Sequence, residues 1–249
     1  MFRLAFVSLI LIILFNSYSF LNESSIFFRI IGHGLFMPML AVIYGIKRGW
    51  KLGLTDLLMF LACLIGSLCD VVIFLDLSVK GEFLQITTAF FVHLILIIIF
   101  RKEGAYVFNI NNKHFLKILI PALCSFLFFG FVLLDILPNL LYFVAIIYAV
   151  QITILAVLGY YRPTSAPNYF LVALGVSFIM LKDILYSYFF YIYQGTNHLL
   201  YVPLYLSNAL GYFLIVYGIA LNQNDNKQTF VKISKKIIFN NISVFLRIT

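Results

Sequence analysis

The sequence predicts an all-α, polytopic membrane helix bundle with eight transmembrane helices, and three observations lead there. Of its 249 residues, 63% are hydrophobic and only 10% are charged, whereas a soluble domain carries about 25% charged residues. Eight apolar runs are each long enough to cross a bilayer core. Lys and Arg gather in alternate gaps between those runs, the charge pattern of a multi-pass protein. The pI near 9.3 therefore reads as topology signals and headgroup contacts with the bilayer, and not as a nucleic-acid partner.

The runs fall near 4–21, 26–46, 54–76, 83–100, 115–134, 139–160, 168–193 and 198–221. The first resembles a signal peptide: Arg3, an apolar Leu4–Phe15 stretch, then Ser17 and Ser19. Its removal would leave an odd helix count, so it is read as a span. The second ends at Lys47, Arg48 and Lys51, the fourth at Arg101 and Lys102, the sixth at Arg162, and Arg3 precedes the first. The opposite loops hold Glu23, then Asp76, Lys80 and Glu82, then Asp135, then no charge over 194–197. By the positive-inside rule both termini are cytoplasmic, as an even number of spans requires, in a cell (inner) membrane. Tyr160 and Tyr161 at one border, and Tyr188, Tyr191 and Tyr193 at the other, suit interfacial aromatic belts.

Residues 1–221 thus form one membrane domain, and 222–249 a basic tail. The tail contains FVKISKKIIF, which suits either a helix on the anionic inner leaflet or a disordered basic segment. AVIYGI (Ala41–Ile46) is similar to AIIYAV (Ala145–Val150). This pairs spans two and six and suggests a parallel four-plus-four repeat, although short apolar words also recur by chance. Cys63, Cys69 and Cys124 have no partner spacing and read as buried thiols, neither a disulfide framework nor a metal site.

Asp70 and Asp183 stand out because a carboxylate inside an apolar span is costly. Helical spacing puts Cys63, Gly66, Ser67 and Asp70 on one small, polar face that should turn towards other helices. The repeat would bring Asp70 and Asp183 together in the outer half of the bundle. Two carboxyls in one dry pocket do not ionise together, so one serves as acid while its partner is charged. The bland reading is that neighbouring Ser, Tyr or Lys side chains satisfy each separately. Lys182 bears on this, because it could pair with an acid across the bundle. His93 is a candidate proton shuttle, matched in the repeat by Asn208, and Arg29 and His33 could meet a lipid phosphate. Asp56, Asp76 and Asp135 lie near the span borders and read as solvated. No P-loop, GxSxG, HExxH or CxxC is present.

At these residues the chain resembles the YhhN family of lysoplasmalogenase-like membrane proteins. The family's small-residue stretch ending in Gly-Asp-Val is similar to Gly66–Val72, with Cys69 at the glycine position. AFFVH (Ala89–His93) resembles its following aromatic-histidine helix, and GVSFIMLKD (Gly175–Asp183) resembles its later Ser-Asp motif, with Lys182 in the serine's place. HGLFMP (His33–Pro38) keeps Leu35 and Pro38 of an early Lys-Pro-Leu…Pro motif, and Tyr205 and Asn208 fall where the family has Tyr and Gln. The resemblance implies hydrolysis of the vinyl ether bond of a lysoplasmalogen, without metal or cofactor. It carries the two required aspartates over to Asp70 and Asp183. The substrate would be a lysophospholipid entering between helices, its tail along apolar walls and its phosphate towards a basic group. Two other classes share the same acids: a proton or solute carrier, and a lipid-binding module in which Lys182 neutralises the pair.

Overall fold

The computed structural model describes residues 1–22, 26–75, 79–105, 112–127, 139–162, 166–189 and 201–222. The elements are α1 (Phe2–Leu21), α2 (Ile26–Arg48), α3 (Leu54–Leu75), α4 (Val79–Lys102), α5 (Asn112–Leu127), α6 (Asn139–Tyr160), α7 (Ala166–Ser187) and α8 (Tyr201–Asn222). Among the described residues there are eight helices, of which seven are long and apolar enough to span a membrane. The shorter one is α5, with 16 residues described; the rest of the run expected near 115–134 lies outside the described residues. So do Glu23, Asp76, Asp135, Tyr191, Tyr193 and the tail from 223 onwards.

Six helices close a ring in the order α2, α3, α4, α6, α7, α8 and back to α2. Outside it, α1 packs on α2 and α8, and α5 packs on α6. Exchanging α1–α4 for α5–α8 carries the α1·α2, α2·α3, α3·α4 and α2·α8 pairs onto α5·α6, α6·α7, α7·α8 and α6·α4, all of which are present. The inner surfaces are apolar and the outward faces carry Leu, Ile, Phe and Val, as lipid-facing helices require. Within the ring, α7 and α8 approach until backbone meets backbone. A Cβ on Gly175 would lie 2.8 Å from the carbonyl oxygen of Gly211, and one on Gly211 would lie 3.1 Å from that of Gly175. Small residues permit this contact in a bilayer, where close packing replaces the hydrophobic effect between helices.

Pro38 inside α2 cannot donate to the carbonyl of Gly34, one turn back. Ser67 of α3 fills the gap, its Oγ donating to that oxygen at 2.7 Å. The face Cys63–Gly66–Ser67–Asp70 does turn towards neighbouring helices: Cys63 is buried, and a Cβ on Gly66 would sit 2.3 Å from Met37 Cε. At the other end, α2 and α4 stop in the same way. Trp50 N–H donates to Gly45 O (2.8 Å) and Ala105 N–H to Phe100 O (2.9 Å), with Gly49 and Gly104 at φ +65° and +85°. These are Schellman closures, in which a residue with positive φ satisfies the last carbonyls.

Two expectations at this end fail. Asp56 is not solvated: it is 1% exposed, 2.8 Å from Arg48 Nε, with the Tyr44 hydroxyl donating to it at 2.8 Å. The tight turn folds Arg48 over the first turn of α3, and a charge so buried persists only when paired. Arg162, read as a topology signal, is likewise buried, with Nη2 2.6 Å from Glu103 Oε2. Burial pulls the Arg162 pKa down while Glu103 holds it up. A third departure concerns the cysteines: Cys124 is exposed, while Cys63 is buried and Cys69 half-buried.

Candidate functional site

The charged and polar side chains that sequence singles out lie at the end of the ring opposite these ion pairs. There α3 and α7 finish while α2, α4 and α8 begin, so their polar side chains meet at one depth. A cavity opens at this level. Its floor is built from Asp70, Cys69 and Gly66 of α3 and from Lys182 and Tyr186 of α7. Gln85 and Ala89 of α4, His33 of α2, and Tyr205, Asn208 and Tyr212 of α8 complete the walls. Tyr186 donates to Gln85 Oε1 (2.9 Å), which ties α7 to α4 across the cavity.

Asp70 faces this space. Asn208 is its side-chain hydrogen-bond partner, and its Oδ2 has no hydrogen-bond partner among the described residues. Lys182 lines the same cavity, and its charge acts on both Asp70 and Asp183. The ion pair it makes is with Asp183, Nζ to Oδ1 at 2.6 Å. Asp183 is 7% exposed and takes a second clamp from α6, the Tyr148 hydroxyl at 3.1 and 3.2 Å from its two oxygens. It does not line the main cavity. Instead it faces a smaller cleft with Ser125 of α5 and Ile152 of α6. The arrangement is therefore an acid facing the cavity, then a lysine, then a second acid behind it.

His93 also lies behind the wall rather than in it. It is fully buried, with Nε2 3.4 Å from the Tyr212 hydroxyl and its ring 5.4 Å from that of Tyr148. The row Tyr212–His93–Tyr148–Asp183 joins the cavity to the rear acid through side chains alone. His33 packs its ring against Tyr205 at 4.7 Å. Arg29, one turn before His33, acts electrostatically on His33 and on Tyr201, both cavity residues.

Of the sequence candidates, Asp70, Lys182, His33, Tyr205 and Asn208 share one cavity, and Arg29 is adjacent to it. Asp183 and His93 stand in the layer behind. Sequence reasoning missed Tyr148, Tyr212, Gln85 and Asn16. Tyr148 was within reach, since it is the tyrosine of the AIIYAV word. Asn16 is an isolated amide in an apolar helix, and it donates to Tyr205 at 2.6 Å. Among the described residues no group of three or more His, Cys, Asp or Glu converges as metal ligands would. In comparisons with known proteins, the chain matches no protein-family model, no curated protein and no solved structure.

Proposed function

We propose that the chain is a multi-pass hydrolase of a cell membrane that cleaves the vinyl ether bond of a lysoplasmalogen, with Asp70 as the catalytic acid. The observation that carries this reading is the Asp70 carboxyl, which lines the cavity and whose Oδ2 has no hydrogen-bond partner among the described residues. Lys182 and Asp183 compensate one another, which leaves Asp70 as the carboxyl outside the ion pair.

The chemistry needs one carboxyl. Asp70 transfers its proton to the outer carbon of the C=C–O unit, and the double-bond electrons form that new C–H bond. The other carbon becomes an oxocarbenium centre. Water adds there and returns a proton to the Asp70 carboxylate, giving a hemiacetal. Its C–O bond to the glycerol then breaks, releasing fatty aldehyde and glycerophospho-headgroup. General acid catalysis of this kind contributes about 10²–10⁴-fold. Asp183 does not touch the substrate in this scheme. It fixes Lys182, and through Tyr148 the inner wall.

The basic residues Lys51, Arg101 and Lys102 are exposed at the end away from the cavity. With the positive-inside rule they support cytoplasmic termini and a cavity in the outer half of an inner membrane. Purified chain in detergent, incubated with a lysoplasmalogen, should release aldehyde. A second reading is favoured by the Lys182–Asp183 contact: a lipid-binding module whose acids are neutralised. It predicts saturable retention of the same lipid without product. Charge movement in liposomes without turnover would instead indicate a carrier.

A further inference from the structure

We propose that the cleft between α5, α6 and α7 binds a structural water that bridges the Ser125 hydroxyl to the Asp183 carboxylate. The site lies behind the main cavity, and it stands whether or not that cavity is catalytic. Its lining includes Ser125 of α5, Ile152 of α6, and Met180, Asp183 and Ile184 of α7.

Ser125 is the residue that points to a ligand. It is 6% exposed, and its Oγ has no hydrogen-bond partner among the described residues. A serine or threonine inside a helix can satisfy itself on the carbonyl one turn back. Ser17, Thr87, Thr153 and Ser177 all do so, donating to the carbonyls of Ile13, Phe83, Ala149 and Ala173 at 2.7–2.9 Å. Ser125 makes no such bond, so its hydroxyl is left to the cleft it lines. A buried hydroxyl without a partner is costly in hydrocarbon.

Asp183 supplies the second contact. Lys182 Nζ sits on its Oδ1 at 2.6 Å, and one Tyr148 hydroxyl is shared between Oδ1 and Oδ2 at 3.2 and 3.1 Å. A carboxylate accepts about four hydrogen bonds, so Oδ2 has capacity for a further donor. Asp183 and Ser125 line one cleft with no direct bond between them, and a water spans such a gap. It donates to the carboxylate and accepts the Ser125 proton. Two polar partners are the least that a buried water needs, and the isoleucines offer no others. The ligand is neutral because Lys182 already balances the Asp183 charge. Helix α5 packs on α6, and this water ties it to the acid of α7.

The test is X-ray footprinting of the full chain in phosphatidylcholine nanodiscs. The pulse turns water into hydroxyl radicals, which oxidise an adjacent methionine to its sulfoxide. Met180 lines the cleft, whereas Met59 is fully buried in the core and serves as the control. Met180 should oxidise severalfold faster than Met59. Ser125→Val, which fills the cleft and removes the hydroxyl, should lower the Met180 rate severalfold, and Ser125→Thr, which keeps the hydroxyl, should preserve it. If Ser125→Val does not fold, Ser125→Ala removes the oxygen without added bulk and should lower the rate in the same direction. A wild-type Met180 no faster than Met59 overturns the proposal. So does a Met180 rate that loss of the hydroxyl leaves unchanged, since the radicals then come from bulk water.

Discussion

Lys182 folds back onto the residue that follows it, Nζ 2.6 Å from Oδ1 of Asp183. Adjacent helical residues point about 100° apart, so only a long side chain closes that gap. The contact leaves Lys182 at the cavity and Asp183 behind it. Replacing Lys182 by Met strips a buried carboxylate of its counter-ion, and should lower stability by about 3–5 kcal/mol. The Lys182→Met/Asp183→Leu pair should recover most of that loss. Thermal unfolding of the three proteins in one detergent checks it; equal melting of Lys182→Met and wild type would contradict the pairing.

The two aspartates should separate in stability. Asp70→Asn keeps the shape and the bond to Asn208, and Oδ2 has no partner among the described residues to lose, so the cost should stay within about 1 kcal/mol. Asp183→Asn leaves Lys182 buried without its partner and weakens the Tyr148 bond, for about 2–4 kcal/mol. Denaturant midpoints measured side by side would show the order, and a reversed order would sink the front-and-rear assignment.

Buried ion pairs at the opposite end are structural in this account. Asp56→Asn and Glu103→Gln should each cost about 3–5 kcal/mol by orphaning Arg48 or Arg162, with lysolipid affinity unchanged within twofold. Unfolding and binding measured on the same preparations test both halves of the statement.

Two glycines should fail for different reasons. At Gly175 an added Cβ meets the backbone of α8 at 2.8 Å, and backbone cannot give way, so Gly175→Ala should force α7 and α8 apart and cost about 1–3 kcal/mol. At Gly49 nothing lies within 4 Å of the added atom, but φ is +65°, so Gly49→Ala pays only the left-handed penalty of about 1–2 kcal/mol. Cross-linking yield between cysteines placed on α7 and α8 should fall for the first variant and not for the second.

The fold was legible because hydropathy and charge act locally. The sixth run, expected over 139–160, is Asn139–Tyr160, and the third differs by one residue. The fourth was cut short at 83–100, whereas α4 runs Val79–Lys102, since helices do not stop where the apolar stretch stops. The site was legible only in part. Spacing alone turned Asp70 inward, but which cation meets which acid depends on how far a lysine or arginine bends. That is why Lys182 sits on its neighbour and why Asp56, eight residues after Arg48, is buried and not solvated. Asn16 gave no periodic signal, because its partner, Tyr205, lies on another helix.

The catalytic claim comes down to one carboxyl. With purified protein, a lysoplasmenylethanolamine and a direct assay of released aldehyde, wild type should turn over and Asp70→Asn should lose at least about a hundredfold in kcat, as removal of a general acid does, while still binding the lipid. Aldehyde release by Asp70→Asn at the wild-type rate would contradict it.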